Sequence, residues 1–421
     1  MSFETISVVG LGYIGLPTAA MFASRKIKVI GVDVNLDTVE TINRGEIHIV
    51  EPELDMIVHA TVMEGYLKAV VEPEPADAFL IAVPTPFMQC EEGQTPQPDL
   101  RYIESACKSI APVLKKGDLV VLESTSPVGT TQQISEWLAE ARPDLLIPRG
   151  ENDEADINIS HCPERVLPGH VVRELVENDR VIGGITSKCC ERSIELYKIF
   201  VKGDCISTNA RTAEMAKLTE NSCRDVQIAF ANELSIICDK LDINVWELIS
   251  LANRHPRINI LKPGPGVGGH CIAVDPWFIV SSAPESAKLI KTAREVNDLK
   301  PDWVIEKLKI AIAEFLLRNP SKTSSDITIA CYGLAFKPNI DDLRESPALK
   351  ISKSISEIHI GKLLVVEPNI SELESNSLNL VDAEQAHEEE DIRVILVAHD
   401  QFKNMKAKNT TITIDTVGIT L

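Results

Sequence analysis

A cysteine closes the run Pro263-Gly264-Pro265-Gly266-Val267-Gly268-Gly269-His270-Cys271, and a carboxylate, Asp275, follows four residues later. Four glycines and two prolines in the eight residues before a thiol exclude a helix or a central strand. They describe a loop whose backbone can pass close to a bound ligand. A cysteine carried by such a loop, with an acid nearby, suits covalent catalysis. The loop by itself equally admits a buried structural thiol, because free cysteine is among the most buried residue types.

Other residues could serve the same chemistry. Lys217, Asn221 and Arg224 recur at i, i+4 and i+7 in a helical pattern, so they form one stripe suited to an anionic ligand or an activated water, or else a solvated helix face. In His161-Cys162-Pro163-Glu164-Arg165, Glu164 is a candidate general base and Arg165 a candidate anion contact, with a surface ion pair as the plain alternative. Lys337 and Arg344 could hold a phosphate.

A second glycine pattern lies near the start. Thr5 to Val9 reads as a buried strand that breaks into Gly10-Leu11-Gly12-Tyr13-Ile14-Gly15 and then into a helix over about Leu16 to Ser24. A further strand, Lys28 to Val32, ends at Asp33, 21 residues after Gly12. In that setting GxGxxG is a dinucleotide-binding turn: the glycines admit the pyrophosphate to a helix N-terminus, and Asp33 accepts from the adenosine ribose. No arginine follows Asp33 to receive a 2′-phosphate, which favours NAD. Strands over Ala78 to Val83 and Leu119 to Leu122 place Thr85 and Thr125 at strand ends, where cofactor contacts and ordinary turn residues are both found.

These groups need elements to position them. Tyr102 to Val113 reads as helix, as do Thr212 to about Asp239, with Met215, Leu218, Ser222 and Cys223 on one face, and about Val245 to Asn253. Helix continues from Ser286 to Leu317, with Pro301 starting a new one. After a polar linker at Arg318 to Asp326, strands at Ile327 to Tyr332, Leu363 to Val366 and Val394 to Ala398 announce a second, smaller parallel sheet without a repeated glycine fingerprint. The expected boundaries are 1–205, 206–318 and 319–421.

Composition narrows the function. The chain has 421 residues, 44% hydrophobic, and a formal net charge of −20, which argues against nucleic acid or an anionic membrane as partner. No run approaches the ~20 apolar residues of a membrane span. The first residues lack a signal-peptide pattern, and ten cysteines lie scattered without a CxxC pair. Together these lead us to expect a cytoplasmic enzyme with reduced thiols and no metal site.

The blocks GLGYIGLP at Gly10, IAVPTP at Ile81, ESTSPVG at Glu123, CPERVLPG at Cys162, AEMAKLTEN at Ala213, GPGVGGHCIAVDP at Gly264 and GLAFKPNIDDLRESP at Gly333 resemble, nearly end to end, the nucleotide-sugar 6-dehydrogenases of the UDP-glucose/UDP-N-acetylhexosamine dehydrogenase family. The resemblance implies an α/β fold with an N-terminal Rossmann domain, a helical dimerisation middle and a smaller C-terminal Rossmann-like UDP-binding domain. It implies two NAD-dependent oxidations at C6, with Cys271 forming a thiohemiacetal and then a thioester. Lys217 and Asn221 would hold the oxyanion, and Asp275, Glu164 and Thr125 would orient and activate water. Gly10, Gly12, Tyr13, Ile14, Gly15, Asp33, Thr85, Thr125 and Arg344 would lie on the cofactor side. Arg165, Val166, Lys217, Asn221, Arg224, His255, Arg257, Gly268, Phe336 and Lys337 would contact the UDP-sugar, completed by a homodimer.

CPERVLPG and NRHPRINIL are similar to the N-acetylhexosamine branch, in which this chain has Pro168 where glucose-type members carry a second Glu, and His270 where they tend to have Ser. The substrate so implied is UDP-N-acetyl-D-mannosamine, for a surface polysaccharide such as enterobacterial common antigen, with UDP-N-acetylglucosamine and UDP-glucose as alternatives. One departure stands out: relatives carry a basic residue near the C-terminus, whereas no Lys or Arg follows Lys408 here. Either UDP is held less tightly or another group substitutes. A single-step hydroxyacid dehydrogenase and a silent NAD-binding regulator are the rival classes; neither needs Cys271, Lys217, Asn221 and Asp275 together.

Overall fold

The computed structural model describes residues 3–49, 51–88, 94–150, 154–166, 169–269, 271–370, 372–373, 378–403 and 405–420. Pro168 and His270, which bear on the branch of the family, lie outside the described residues. The chain divides into two compact units, 1–219 and 220–421. The division falls inside one long helix, Ala210–Lys240.

In the first unit, β1 (Thr5–Val9), β2 (Lys28–Val32), β3 (Leu67–Val70), β4 (Ala78–Ile81), β5 (Leu119–Leu122), β6 (Asn158–His161), β7 (Arg180–Gly184) and β8 (Cys205–Asn209) form one sheet. Its order is β3-β2-β1-β4-β5-β6-β7-β8. The first six positions give the 3-2-1-4-5-6 order of a doubly wound dinucleotide fold, with its switch point between β1 and β4. Among the described residues, β6 and β7 are the one antiparallel strand pair of this sheet. Both faces are covered, which is why β4 and β5 read as unbroken apolar runs. Ala78 and Leu80 enter one core cluster, and Phe79 and Ile81 another.

In the second unit, β9 (Thr328–Tyr332), β10 (Lys362–Val366), β11 (Ile392–Ile395) and β12 (Ile412–Asp415) form an all-parallel sheet in the order β10-β9-β11-β12. Its first turn repeats that of the first unit. Gly10 (φ +92°) donates its N–H to Val32, and Gly333 (φ +94°) donates to Val366, each at 2.8 Å. In both, the acid after the second strand accepts from the turn: Asp33 Oδ2 from the Leu11 N–H at 2.9 Å, and Glu367 Oε2 from those of Leu334 and Ala335 at 2.8 and 3.0 Å. The full fingerprint is absent from the second sheet, as expected, but its first glycine and its acid are kept. Asp415, at the end of β12, accepts the N–H groups of Val417, Gly418, Ile419 and Thr420 and so closes the C-terminal turn.

Two helical expectations are corrected. Pro301 does not start a helix; it lies inside a continuous one, Lys288–Arg318. Proline removes only the N–H that would bond the Asn297 carbonyl, while Ala293, Val304, Leu308, Ala311 and Phe315 are buried along the helix on both sides of it. In the helix Ala210–Lys240, Leu218 and Ser222 are buried as read, but Met215 and Cys223 are exposed. The buried stripe instead takes in Glu214, Asp225, Asn232 and Ser235, polar residues that an apolar-periodicity reading passes over.

Glu367 also accepts from His399 Nε2 at 3.0 Å. Burial pushes its carboxyl up, but the His399 contact and the two N–H groups outweigh burial and hold it below the usual carboxylate range. A lowered folded pKa gives stability that is present above the unfolded value of about 4.5 and is lost as pH falls through the folded one. Urea unfolding followed from neutral pH to about pH 4 should therefore show an acid-side loss of stability that Glu367→Gln flattens.

Candidate active site

The glycine turn after β1 has the shape of a cofactor cradle. A Cβ on Gly10 would meet the Ala82 carbonyl at 2.7 Å, and one on Gly15 would meet the Gly10 carbonyl at 1.8 Å, so these two glycines close the turn and seat the helix Gly15–Ser24 on the sheet. A Cβ on Gly12 would meet nothing within 4 Å. That opening is where a pyrophosphate would approach the helix N-terminus, which has no side-chain cap. Tyr13 and Ile14 complete the turn. The residues present fit a dinucleotide.

The ends of β4 and β5 are joined. Thr85 Oγ1 donates to the Thr125 carbonyl at 2.7 Å, so these two expected cofactor contacts are neighbours. Just beyond, the helix Thr130–Ala141 begins, and its first N–H groups are claimed from within the protein. Glu214 accepts from Gly129 N–H at 2.6 Å, and from Thr131 N–H and Oγ1 at 2.7 and 2.6 Å. Glu214 lies on the long helix one turn before Lys217, which is half-buried. The Thr125 loop and Lys217 are thus tied by one buried carboxylate that the sequence reading missed.

Glu164 is buried and forms an ion pair with Arg180 at 2.6 Å; its other oxygen accepts the Arg165 N–H at 2.7 Å. Arg180 itself is 2% exposed and lies over the Tyr197 ring. Tyr197 donates its hydroxyl to Glu123 at 2.7 Å. Burial, with the Glu164 charge, pushes the Glu123 carboxyl up to about 7, against the pull of Arg180 and the Tyr197 hydroxyl. Glu123, Arg180 and Tyr197 were not picked out from the sequence, because their partners are 16 to 74 residues away. Arg165 Nη1 donates to the Asp179 carbonyl at 3.3 Å, and Val166 packs against the core.

In the second unit the glycine loop leads into the helix Asp275–Ser282. The Cys271 carbonyl accepts from the N–H groups of Val274 and Asp275 at 3.1 and 2.8 Å, a turn that sets the half-buried thiol immediately before that helix. Asp275 is 3% exposed and accepts from Asn221 Nδ2. The loop is packed closely: a Cβ on Gly268 would meet Glu345, Phe336 and Pro347 at 2.6 to 2.8 Å. Gly269 (φ +80°) lies against the Phe336 ring and donates to the Arg344 carbonyl at 3.1 Å. Asn221 thus meets Asp275, and Phe336 meets Gly268 and Gly269, on the segments that flank Cys271. Burial pushes the thiols of Cys107, Cys162 and Cys331 up to about 12, which leaves them inert beside a half-buried Cys271.

Of the expected anion contacts, Arg224, His255, Arg257 and Lys337 are exposed. Among the described residues, no carboxylate lies in ion-pair contact with Arg224, Arg257 or Lys337. Arg344 instead makes a bidentate pair with Asp342.

Residues 4–201 match the NAD binding domain of the UDP-glucose/GDP-mannose dehydrogenase family, residues 211–299 its central domain, and residues 330–420 its UDP binding domain. A protein of Yersinia pestis named UDP-N-acetyl-D-mannosamine dehydrogenase is 64% identical over 97% of both chains. One of Ralstonia nicotianae named NDP-N-acetyl-D-galactosaminuronic acid dehydrogenase is 61% identical over 100% of this chain and 97% of its own. The solved structure of a UDP-D-ManNAc dehydrogenase from Pyrococcus horikoshii superposes with a TM-score of 0.86 at 38% identity, covering 99% of this chain and 96% of that one.

Because the space over Gly12 is open, Gly12→Ala should leave the unfolding free energy measured in urea within about 0.5 kcal/mol of the parent. The same change should weaken NAD binding about tenfold, which titration of the purified protein measures.

Proposed function

Since the chain belongs to the UDP-glucose/GDP-mannose dehydrogenase family, we propose that it oxidises UDP-N-acetyl-D-mannosamine at C6 to UDP-N-acetyl-D-mannosaminuronate. It is an NAD-dependent dehydrogenase with a doubly wound NAD-binding domain, a helical central domain and a UDP-binding domain. The sugar assignment is supported by the relative that shares 64% of its residues. The chemical assignment is carried by one observation, a half-buried thiol on a closely packed glycine loop beside the Asn221–Asp275 pair. In this reading residues 1–205 bind NAD, 206–318 carry the nucleophile and the dimer contact, and 319–421 bind UDP.

NAD⁺, when bound, takes up the two electrons removed at C6 in each of two oxidations. Gly10, Gly12, Gly15 and Asp33 hold it, and the family resemblance gives Thr85, Thr125 and Arg344 contacts to it as well. Lys217 and Asn221 stabilise the oxygen as charge develops on it, and Lys217 takes the hydroxyl proton of the alcohol. The Cys271 thiol adds to the resulting aldehyde, giving a thiohemiacetal; the second oxidation converts this to a thioester. Water then attacks the thioester carbonyl, releasing the carboxylate and restoring the thiol. Asp275, Glu164 and Thr125 orient that water. Covalent capture keeps the reactive aldehyde in place between the oxidations. Arg165, Val166, Arg224, His255, Arg257, Gly268, Phe336 and Lys337 grip the nucleotide sugar, whose negative charge the exposed basic groups match on an otherwise acidic protein.

The proposal includes a homodimer. Phe230, Ile237 and Leu241 fall on one stripe of the long helix and its C-terminal end and are 51%, 43% and 63% exposed, an apolar surface that a second copy would cover. It also includes a cytoplasmic setting and a product destined for a surface polysaccharide such as enterobacterial common antigen. Among the described residues no helix is long and apolar enough to cross a membrane.

NADH formed per sugar consumed tests this directly. UDP-N-acetyl-D-mannosamine should give two NADH per sugar, with little from UDP-N-acetylglucosamine, UDP-N-acetylgalactosamine or UDP-glucose. Two NADH from the galactosamine sugar would favour the activity named for the Ralstonia relative. One NADH per sugar would remove the role given to Cys271.

A further inference from the structure

A buried polar chain between two helices takes no part in the chemistry above. Asp225 and Asn232 come from Ala210–Lys240, and Arg294 and Asn297 from Lys288–Arg318. All four are at most 1% exposed. Placing such groups where leucines would pack is unfavourable unless each is paired. Here they pair in sequence, and the sequence ends on a backbone group, the N–H of Gly264.

The hydrogen bonds run in one direction. Arg294 Nη1 and Asn297 Nδ2 donate to Asp225 Oδ1 at 2.6 and 2.8 Å. Asn232 Nδ2 donates to Asn297 Oδ1 at 2.8 Å, and Gly264 N–H donates to Asn232 Oδ1 at 2.8 Å. The ion pair sets the direction. A carboxylate facing Arg294 only accepts, so Asn297 must turn its amide nitrogen to Asp225 and its oxygen to Asn232. Asn232 must then donate to Asn297 and present its own oxygen to Gly264.

Gly264 opens the loop that ends in Cys271. The same Asn297 meets that loop again through its backbone: Pro301 leaves its carbonyl without the usual helical donor, and a Cβ on Gly266 would lie 3.3 Å from that oxygen. Beyond Cys271, Asp275 is held by Asn221, one turn before Asp225 on the same helix. The loop is therefore fixed to the long helix on both sides of Cys271.

We propose that Asn232 is a positioning residue for Cys271, transmitting the fixed geometry of the Asp225–Arg294 pair to the start of the nucleophile loop. This rests on Cys271 being the nucleophile. Asn232→Ala should leave NAD affinity and the KM for the sugar nearly unchanged while lowering kcat on the order of 100-fold, the scale set by a 1 Å misplacement of a reacting group. Iodoacetamide alkylation of Cys271 without substrate should change on the order of tenfold, while that of exposed Cys223 stays at the parent rate. Asn297→Ser, which breaks the relay but keeps the backbone carbonyl that faces Gly266, should shift the same two readouts in the same direction.

Folded variants with parent-like Cys271 alkylation and kcat would overturn the proposal. If neither variant folds, hydrogen exchange on the parent decides: the Gly264 amide should be protected, and exchange as fast as that of the unbonded loop amides would overturn it. An active Cys271→Ser protein would instead sink the functional reading, while alkylation and exchange would still report on the relay.

Discussion

A chain segment of glycine and proline cannot hold a thiol in place by itself. Its glycines are conformationally free and have no side chain to bury, and its prolines lack an N–H, so its geometry must be imposed by its surroundings. In this protein the surroundings do so from three sides: Asn232 at Gly264, the Phe336 to Pro347 segment against Gly268 and Gly269, and Asn221 at Asp275. The glycines are what make so close an approach possible, since a Cβ on Gly268 would overlap three neighbours. The Cys271 segment is thus held in position although it has no regular structure of its own.

The same division of labour recurs at the cofactor turn. Gly10 and Gly15 are closed against backbone, Gly12 is left open, and Asp33 holds the turn through the Leu11 N–H. The second sheet keeps the turn and the acid but not the opening, so the two sheets share a way of ending β-strands without sharing a ligand. Buried carboxylates do much of this holding. Glu214, Glu367, Asp225 and Asp275 each accept from groups that belong to a different element.

How much of this was legible in the sequence follows from the range of each constraint. The fingerprint could be read because a tight turn, an open approach and a helix start are all decided within six residues. The strand Leu119–Leu122 was read with its bounds because it is apolar and buried throughout, and Lys28–Val32 because a mostly buried β-branched run lies between Lys28 and Asp33. The strands β7 and β8 escaped notice, and β8 is half exposed with Ser and Thr in it. Pro301 was misread because local chemistry breaks helices, whereas packing along the rest of the helix carries this one through. Asn232, Arg180, Glu123 and Glu214 were invisible for a different reason. A polar residue in a buried stripe has no local signature, and its partner lies tens of residues away.

The central claim is that Cys271 carries the substrate between the two oxidations. Acid quench during steady turnover, followed by mass measurement of the peptide bearing Cys271, tests it most directly. The account predicts an adduct on Cys271 equal to the nucleotide sugar less four hydrogen atoms, the mass of a thioester. Steady production of the uronate with no adduct at Cys271, or with the adduct on another residue, would contradict it.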